Sequence, residues 1–525
     1  MENKTSVAHH PDKPQLSLRR VLGLWDIISI VIGGVIGSGI FLVPSLIAAG
    51  VKSPYLIFAV WVVGGLLSFF GALSFSELGA AYPHAGGIYV YLREAYGSLI
   101  AFLFGWTLFL VIDSGALATL AVAFSSGYLP HFFPISPLGS KGVAAGLIIF
   151  LMVVNYIGVR WGANLQNVLT VIKFVALIAV SGILFIFAKG STSHFVSPSP
   201  EPFSWSLVGS FGVALVASLW AYKGWESATY SAGETKNPER NLPLGIFIGT
   251  VVVIILYFVA NLAYLYVLPS SEIANSSRIA SDAMNLALGP IGASVIAFII
   301  LFSITGAANQ TILCSPRVYF AMAKDGLLFK KIADVHPKFF TPHVSIIAMG
   351  IWSIILSLSG TFEQLFTYVI FGEWIFFGLT AGAVIVLRKK RPDLPRPYKT
   401  FGYPLTPIIF ILSALFISLN TLVNQFLSSL AGLGIILLGL PAYFYWKSIL
   451  IINKEARLRL QKTLGIIYTV IGGAIGIWVV IRMISDIGQS YSWSLPFENY
   501  ETITILGAVI AVYLIIFGLI NLTKK

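Results

Sequence analysis

The amino-acid sequence predicts an all-α integral membrane protein with fourteen spans. Three observations carry this. The chain is 57% hydrophobic and only 10% charged, against about 25% charged residues in soluble domains. Apolar runs close to the length that crosses about 30 Å of hydrocarbon recur along it. Its basic residues fall almost wholly into alternate loops.

The spans lie near 22–50, 55–80, 98–127, 142–158, 167–188, 205–228, 244–267, 290–322, 344–358, 364–387, 405–424, 428–446, 463–483 and 501–521. With the N-terminus in the cytoplasm, 25 Lys and Arg residues lie inside and five outside: Lys52, Lys141, Lys189, Arg278 and Arg482. The other three, Lys173, Lys223 and Arg317, fall within spans. This asymmetry predicts a multi-pass protein of the cell membrane with both termini cytoplasmic. The tail 1–20 is polar and does not read as a cleavable signal peptide.

The net charge of +12 follows this loop pattern, so no nucleic-acid partner is expected. The single cysteine, Cys314, lies in an apolar stretch, reads as a small buried hydrophobe and excludes an intrachain disulfide. No Cys/His cluster has metal spacing, and there is no His-Glu-x-x-His, Gly-x-Ser-x-Gly or nucleotide loop. None of the seven histidines lies deep in a span. An enzyme is therefore not expected, nor a metal, nor a cofactor. Nothing repeats as a channel filter.

Span one is interrupted by Gly33-Gly34-Val35-Ile36-Gly37-Ser38-Gly39-Ile40. Glycine costs roughly 1 kcal/mol against alanine in a helix interior. A broken helix in lipid is tolerated only where its freed backbone faces protein or a wet cavity. Span six carries Trp220-Ala221-Tyr222-Lys223-Gly224-Trp225-Glu226, with charges that cost about 2.5–3.5 kcal/mol each at a helix centre. Spans one and six open two successive five-span halves, 21–188 and 205–387. Matching interruptions in two halves point to a binding site between inverted repeats. Residues 388–404 form a basic connector with three prolines between Pro392 and Pro397 that forbid a helix, and read as a topology anchor.

These residues are those of a known family. The chain resembles the amino acid–polyamine–organocation (APC) superfamily, in its L-type amino acid transporter-like branch. The matching stretches are 33–41, 76–97, 220–243, 315–329 and 391–404, and the likeness runs from about residue 20 to 446. It implies a LeuT-like 5+5 inverted repeat with helices one and six broken. Spans 11–12 (405–446) would be peripheral, and spans 13–14 (463–521) are extra to that twelve-span pattern. His84 stands where the family usually has a basic residue, and Lys223 where it more often has a small or acidic one.

The first break offers N–H groups of Ser38, Gly39 and Ile40 at a helix N-terminus, which suits a carboxylate. Carbonyls near Trp220, Ala221 and Tyr222 in the second break suit an α-ammonium group. One polarity at each break fits a zwitterion, as the resemblance also implies. Gly37, Ser38, Gly39, Ile40, Trp220, Ala221, Tyr222, Lys223 and Gly224 are therefore the expected substrate site. The resemblance makes Trp220 an aromatic gate; plain packing is its other reading, as it is for Trp225. Lys173 sits where sodium-coupled relatives of the family hold the ion, so it resembles a built-in replacement cation; it also reads as a lysine satisfied by carbonyls of the first break. Lys223 pairs either with Glu226 one turn on or with Asp113, with recognition of an acidic side chain as an alternative. Glu373 either relays protons or pairs with a cation. Glu77 and Glu234 are expected in an inner network with Arg93, Lys236 or Arg240.

The implied function is a secondary active carrier with alternating access. It would be sodium-independent, exchanging or proton-coupling neutral L-amino acids. The alternatives are a carrier of polyamines or cationic amino acids, which Lys223 disfavours, and a non-transporting amino acid sensor. Residues 128–140 lack the cysteine that links animal relatives of the branch to a heavy chain, so no disulfide-linked partner is expected.

Overall fold

A computed structural model describes residues 17–196, 204–359, 362–424 and 426–449, with isolated positions between 455 and 473. Span 14 and most of span 13 lie outside the described residues. Among the described residues every regular element is helical, apart from one isolated parallel bridge between Leu22 and Thr235.

The first span is two helices, α1 (Leu24–Val35) and α2 (Gly39–Val51), bent by 43° at the glycine break. Next come α3 (Pro54–Ala81), α4 (Ile88–Tyr96), α5 (Ser98–Thr107), α6 (Asp113–Val122), α7 (Pro137–Tyr156) and α8 (Val159–Phe187). Then come α9 (Trp205–Ala221), continued by a 3₁₀ helix at Glu226–Glu234, and α10 (Pro238–Val267). Two short helices, α11 (Ser270–Asn275) and α12 (Ile279–Leu288), precede α13 (Pro290–Cys314) and α14 (Pro316–Lys324). The described chain closes with α15 (His343–Ser359), α16 (Phe362–Lys390), α17 (Leu405–Asn424) and α18 (Phe426–Ile449). Among the described residues eight helical stretches are long and apolar enough to cross a membrane, and the bent pair makes a ninth.

Helix starts follow local chemistry. Proline occupies the first turn of α3, α7, α10 and α13, where its missing N–H costs nothing. Ser136 and Ser204 accept from the backbone N–H groups of Gly139 (3.1 Å) and Leu207 (3.1 Å). Helix α8 begins eight residues before the apolar run predicts. Polar Arg160, Asn164 and Gln166 hide its first turns from a hydropathy reading, yet Gln166, like Thr170 further on, is buried. They face the interior with Lys173, while Val168, Val171, Val175 and Ile178 are exposed along the same helix. Polar side inward and apolar side outward is the pattern of a span in lipid. The third span carries two π-helical segments, Leu108–Ile112 and Ala123–Tyr128, that the sequence reading does not anticipate.

Helix α1 packs against α8, α10 and α13, and α2 against α9, α11 and α12. The two breaks thereby lie inside the bundle.

The ion pairs at the helix ends differ from the expected network. Glu77 pairs with Arg388 (2.7 Å) and lies 3.5 Å from Arg396, and also accepts the Thr400 N–H at 2.7 Å. Glu234 pairs with Arg317 at 2.6 Å, and Arg93 with Asp325 and Glu94. Glu77 and Glu234 thus choose partners far away in sequence: packing of α3 on α16 and α17 brings the connector to Glu77, and packing of α14 on the 3₁₀ helix brings Arg317 to Glu234. The connector is a clasp as well as a basic anchor. Glu77→Ala is expected to loosen it: limited trypsin digestion should cut after Lys399 faster in the variant than in the parent, and equal rates would show that Glu77 does not hold this segment.

Candidate functional site

The two breaks touch. A Cβ on Gly39 would lie 2.9 Å from Cα of Ala221, and one on Gly224 would lie 2.7 Å from the carbonyl carbon of Gly34. Gly224 also holds φ +124°, a region that side-chain-bearing residues rarely enter. Each break therefore needs its glycine because the other break's backbone occupies the space.

Most carbonyls freed by the breaks have named partners. Lys173 Nζ, on α8 and 1% exposed, donates to Gly33 O at 2.5 Å and Ile36 O at 2.8 Å. Ser303 Oγ of α13 lies 2.9 Å from Ile36 O and 3.0 Å from Gly37 O. Tyr257 of α10 places its hydroxyl 2.8 Å from Val35 O and 3.1 Å from Ala221 O, bridging the ends of α1 and α9. Gln310 Nε2 donates to Gly224 O at 3.3 Å. Ala221 O, expected to face an ammonium group, thus already accepts a bond, and Trp220 O accepts the Lys223 N–H at 3.1 Å.

The N–H side of the first break is different. Gly37 N–H donates to Val35 O at 2.8 Å. Helix geometry then leaves Ser38, Gly39 and Ile40 N–H without an i−4 carbonyl, as at the start of any helix. Ser38 offers no side-chain cap to α2.

A cavity with about 710 Å³ of empty space, its open mouth included, adjoins this point. Gly37, Ser38, Gly39, Trp220, Ala221, Lys223 and Gly224 line it, as do Asp113 and Glu226. The side chains of Ile40 and Tyr222 do not. Ile40 is fully buried, and Tyr222 turns to Trp61, its hydroxyl donating to Trp61 O at 3.3 Å and its ring edge-on to the indole. Sequence reasoning missed other lining residues, among them Thr119, Ser227, Gln310 and Thr311. In Ala308-Asn309-Gln310-Thr311 three polar side chains in an apolar span were an available signal.

Lys223 does not pair with Glu226. Its Nζ lies 3.0 Å from Glu373 Oε1 and 3.6 Å from Asp113 Oδ1. Glu226 instead accepts the Gly224 N–H at 3.0 Å and the Ser227 hydroxyl at 3.3 Å. The reason is the break itself: with no helical turn between 222 and 225, Lys223 and Glu226 are not on one helix face. Glu373 sits in a separate small compartment with Ser68, Trp225, Trp374 and Phe377, reached past Trp220 and Lys223. Arg317, counted as a span residue, is fully buried against Glu234 and outside the cavity lining. Among the described residues no cluster of His, Cys, Asp and Glu is placed to hold a metal ion.

A family model described as "Amino acid permease" matches residues 22–446. The mouse b(0,+)-type amino acid transporter 1 is 35% identical over 423 residues, covering 79% of this chain and 85% of the relative. The serine/threonine exchanger SteT of Bacillus subtilis (strain 168) is 33% identical over 433 residues, 82% and 97% of the two chains. The human cystine/glutamate transporter is 32% identical over 442 residues, 83% and 86% of the two chains. These relatives are transporters and not enzymes. The chain belongs to the amino acid permease family of the APC superfamily, in its L-type-like branch of membrane transporters for amino acids.

Proposed function

We propose that the protein carries neutral L-amino acids by sodium-independent alternating access, as an exchanger or with a proton. The observation that supports this most is the meeting of two broken helices at a cavity, with the uncapped start of α2 at Ser38 and Gly39 in its lining. The α-carboxylate goes to that N-terminus, and the α-ammonium to the carbonyls of the second break around Trp220, Ala221 and Tyr222. Trp220 closes over the cargo from outside. The name of SteT, an exchanger of serine and threonine, favours exchange of neutral cargo.

In this reading the fold is a LeuT-like pair of inverted repeats, 21–188 and 205–387, which rock around the midplane site. Residues 405–446 are peripheral, 463–521 are additional, and both termini face the cytoplasm from the cell membrane. Residues 128–140 hold no cysteine and Cys314 is fully buried, which supports a carrier without a disulfide-linked partner.

Lys173 does here what an ion does elsewhere: it fills the carbonyl cage of the first break with a covalently held charge. Two tests follow. Purified protein in liposomes should take up labelled neutral amino acid faster with unlabelled amino acid inside, equally in sodium and in choline. No counterflow for any of the twenty standard amino acids defeats the proposal, and a sodium requirement defeats its coupling. Lys173→Ala leaves Gly33 O without its named donor, at about 1–3 kcal/mol, and Ile36 O with the Ser303 hydroxyl alone. Uptake should fall at least about tenfold; unchanged uptake removes the role given to the lysine.

A further inference from the structure

Three buried carboxylates, Asp113, Glu226 and Glu373, surround one ammonium, that of Lys223. With every group ionised the cluster carries a net charge of −2. An uncompensated charge inside protein costs several kcal/mol, and a zwitterionic cargo brings no net charge to offset it. Each further positive charge relieves the cluster, and a single proton halves its net charge to −1.

Geometry selects which charge and where. The Glu373 compartment is lined by Trp225, Trp374 and Phe377, with Ser68 and Lys223 as further polar side chains. It has no room for a cationic side chain or a solvated metal ion, and a proton needs none. Lys223 and Trp220 line both this compartment and the cargo cavity. Lys223 Nζ lies 3.0 Å from Glu373 on one side and 3.6 Å from Asp113 on the other. Asp113 is further held by the Ser315 hydroxyl at 2.5 Å, so Glu373 is the less supported partner of the two.

We propose that Glu373 is the proton carrier of the transport cycle and that Lys223 couples it to the cargo. A proton from the outer water adds to a Glu373 carboxylate oxygen. The ammonium then leaves Glu373 for Asp113, at the wall of the cargo cavity. On the inner side the proton leaves to water and Lys223 returns to Glu373. No other bond forms or breaks. The titratable and charged groups around Glu373 are Lys223, Glu226 and Tyr230 from the second break, and Asp113 from α6, with Tyr319 of α14 beyond it. Helix α3 contributes Ser68 and Phe75, α17 Phe410, and α18 Ile436 beside Gly372, none of which titrates.

This inference rests on the transport reading, and the experiment separates the two. The probe is the labelled amino acid with the fastest counterflow among the twenty. Liposomes with the membrane potential clamped receive an outside-acid gradient of one pH unit. One proton per cargo then supports about a tenfold accumulation, abolished by a protonophore. In Glu373→Gln the accumulation ratio should fall to about one. Counterflow without any response to the gradient in the parent protein overturns the inference and leaves the transport reading standing. A gradient response that persists in Glu373→Gln overturns it as well. Should that variant not transport, proton uptake on cargo binding to the parent protein, read with a pH dye in weak buffer, decides: about one proton per cargo is expected at a pH where Glu373 starts ionised, and none at any pH refutes it.

Discussion

Gly39→Val and Gly224→Ala are each expected to abolish transport. At Gly39 even the first added carbon lies 2.9 Å from Ala221 Cα and 3.3 Å from the Trp220 ring, and valine adds two further methyls. A backbone atom cannot swing aside as a side chain end can, so the breaks must separate. That moves Ser38, Gly39 and Ile40 N–H away from their place opposite the second break. Gly224 is worse placed for change, because a Cβ there meets the Gly34 carbonyl at 2.7 Å and 3.0 Å and its φ of +124° is itself unsuited to alanine. Both variants should still enter the membrane, since neither alters a lipid-facing residue. Counterflow below a hundredth of the parent with monodisperse protein of normal yield is the expected result. Near-normal counterflow in either would show that the contact between the breaks is not what positions cargo.

The second large effect is on stability. Arg317 and Glu234 are both fully buried, joined at 2.6 Å and 3.2 Å. Glu234 ends the 3₁₀ continuation of α9, its carbonyl receives the N–H groups of Val21 (2.8 Å) and Leu22 (2.9 Å), and Arg317 opens α14. The pair thus ties three parts of the chain at one point. Removing one partner of a buried pair costs about 3–5 kcal/mol, mostly through the charge left behind. Arg317→Ala should collapse the yield of monodisperse protein and lower its melting temperature sharply. The double variant Arg317→Met with Glu234→Leu removes both charges and should recover much of the loss. If the double variant is as poor as the single, the cost lies in shape and not in the stranded charge.

The breaks were legible in the sequence because they violate what a membrane helix requires. Gly37-Ser38-Gly39, and Lys223 beside Gly224, have no place in an uninterrupted apolar span. Lys173 was legible for the same reason, as was the alternation of basic loops. The partners were not. Glu77 finds Arg388 and Glu234 finds Arg317 through packing of helices distant in sequence, and local spacing holds no trace of that. Of the two partners the sequence offers Lys223, Asp113 is found beside it and Glu226 is not; the Glu226 alternative assumes a regular turn across a segment that the same residues mark as broken. Tyr257 was invisible: a tyrosine among valines and isoleucines reads as packing until the carbonyls it serves are known. Thr119 follows a π-helical segment and Ser227 lies in a 3₁₀ one, so a regular helical register does not place them at the cavity.

Tyr257 has one proton and two acceptors, Val35 O and Ala221 O. At any instant it satisfies one and leaves the other waiting. A seam fastened this way parts at the expense of a single hydrogen bond, about 0.5–1.5 kcal/mol, and the phenol can stay with whichever strand of the seam moves. Its fastening is strong enough to register the two helix ends and light enough for thermal motion to undo.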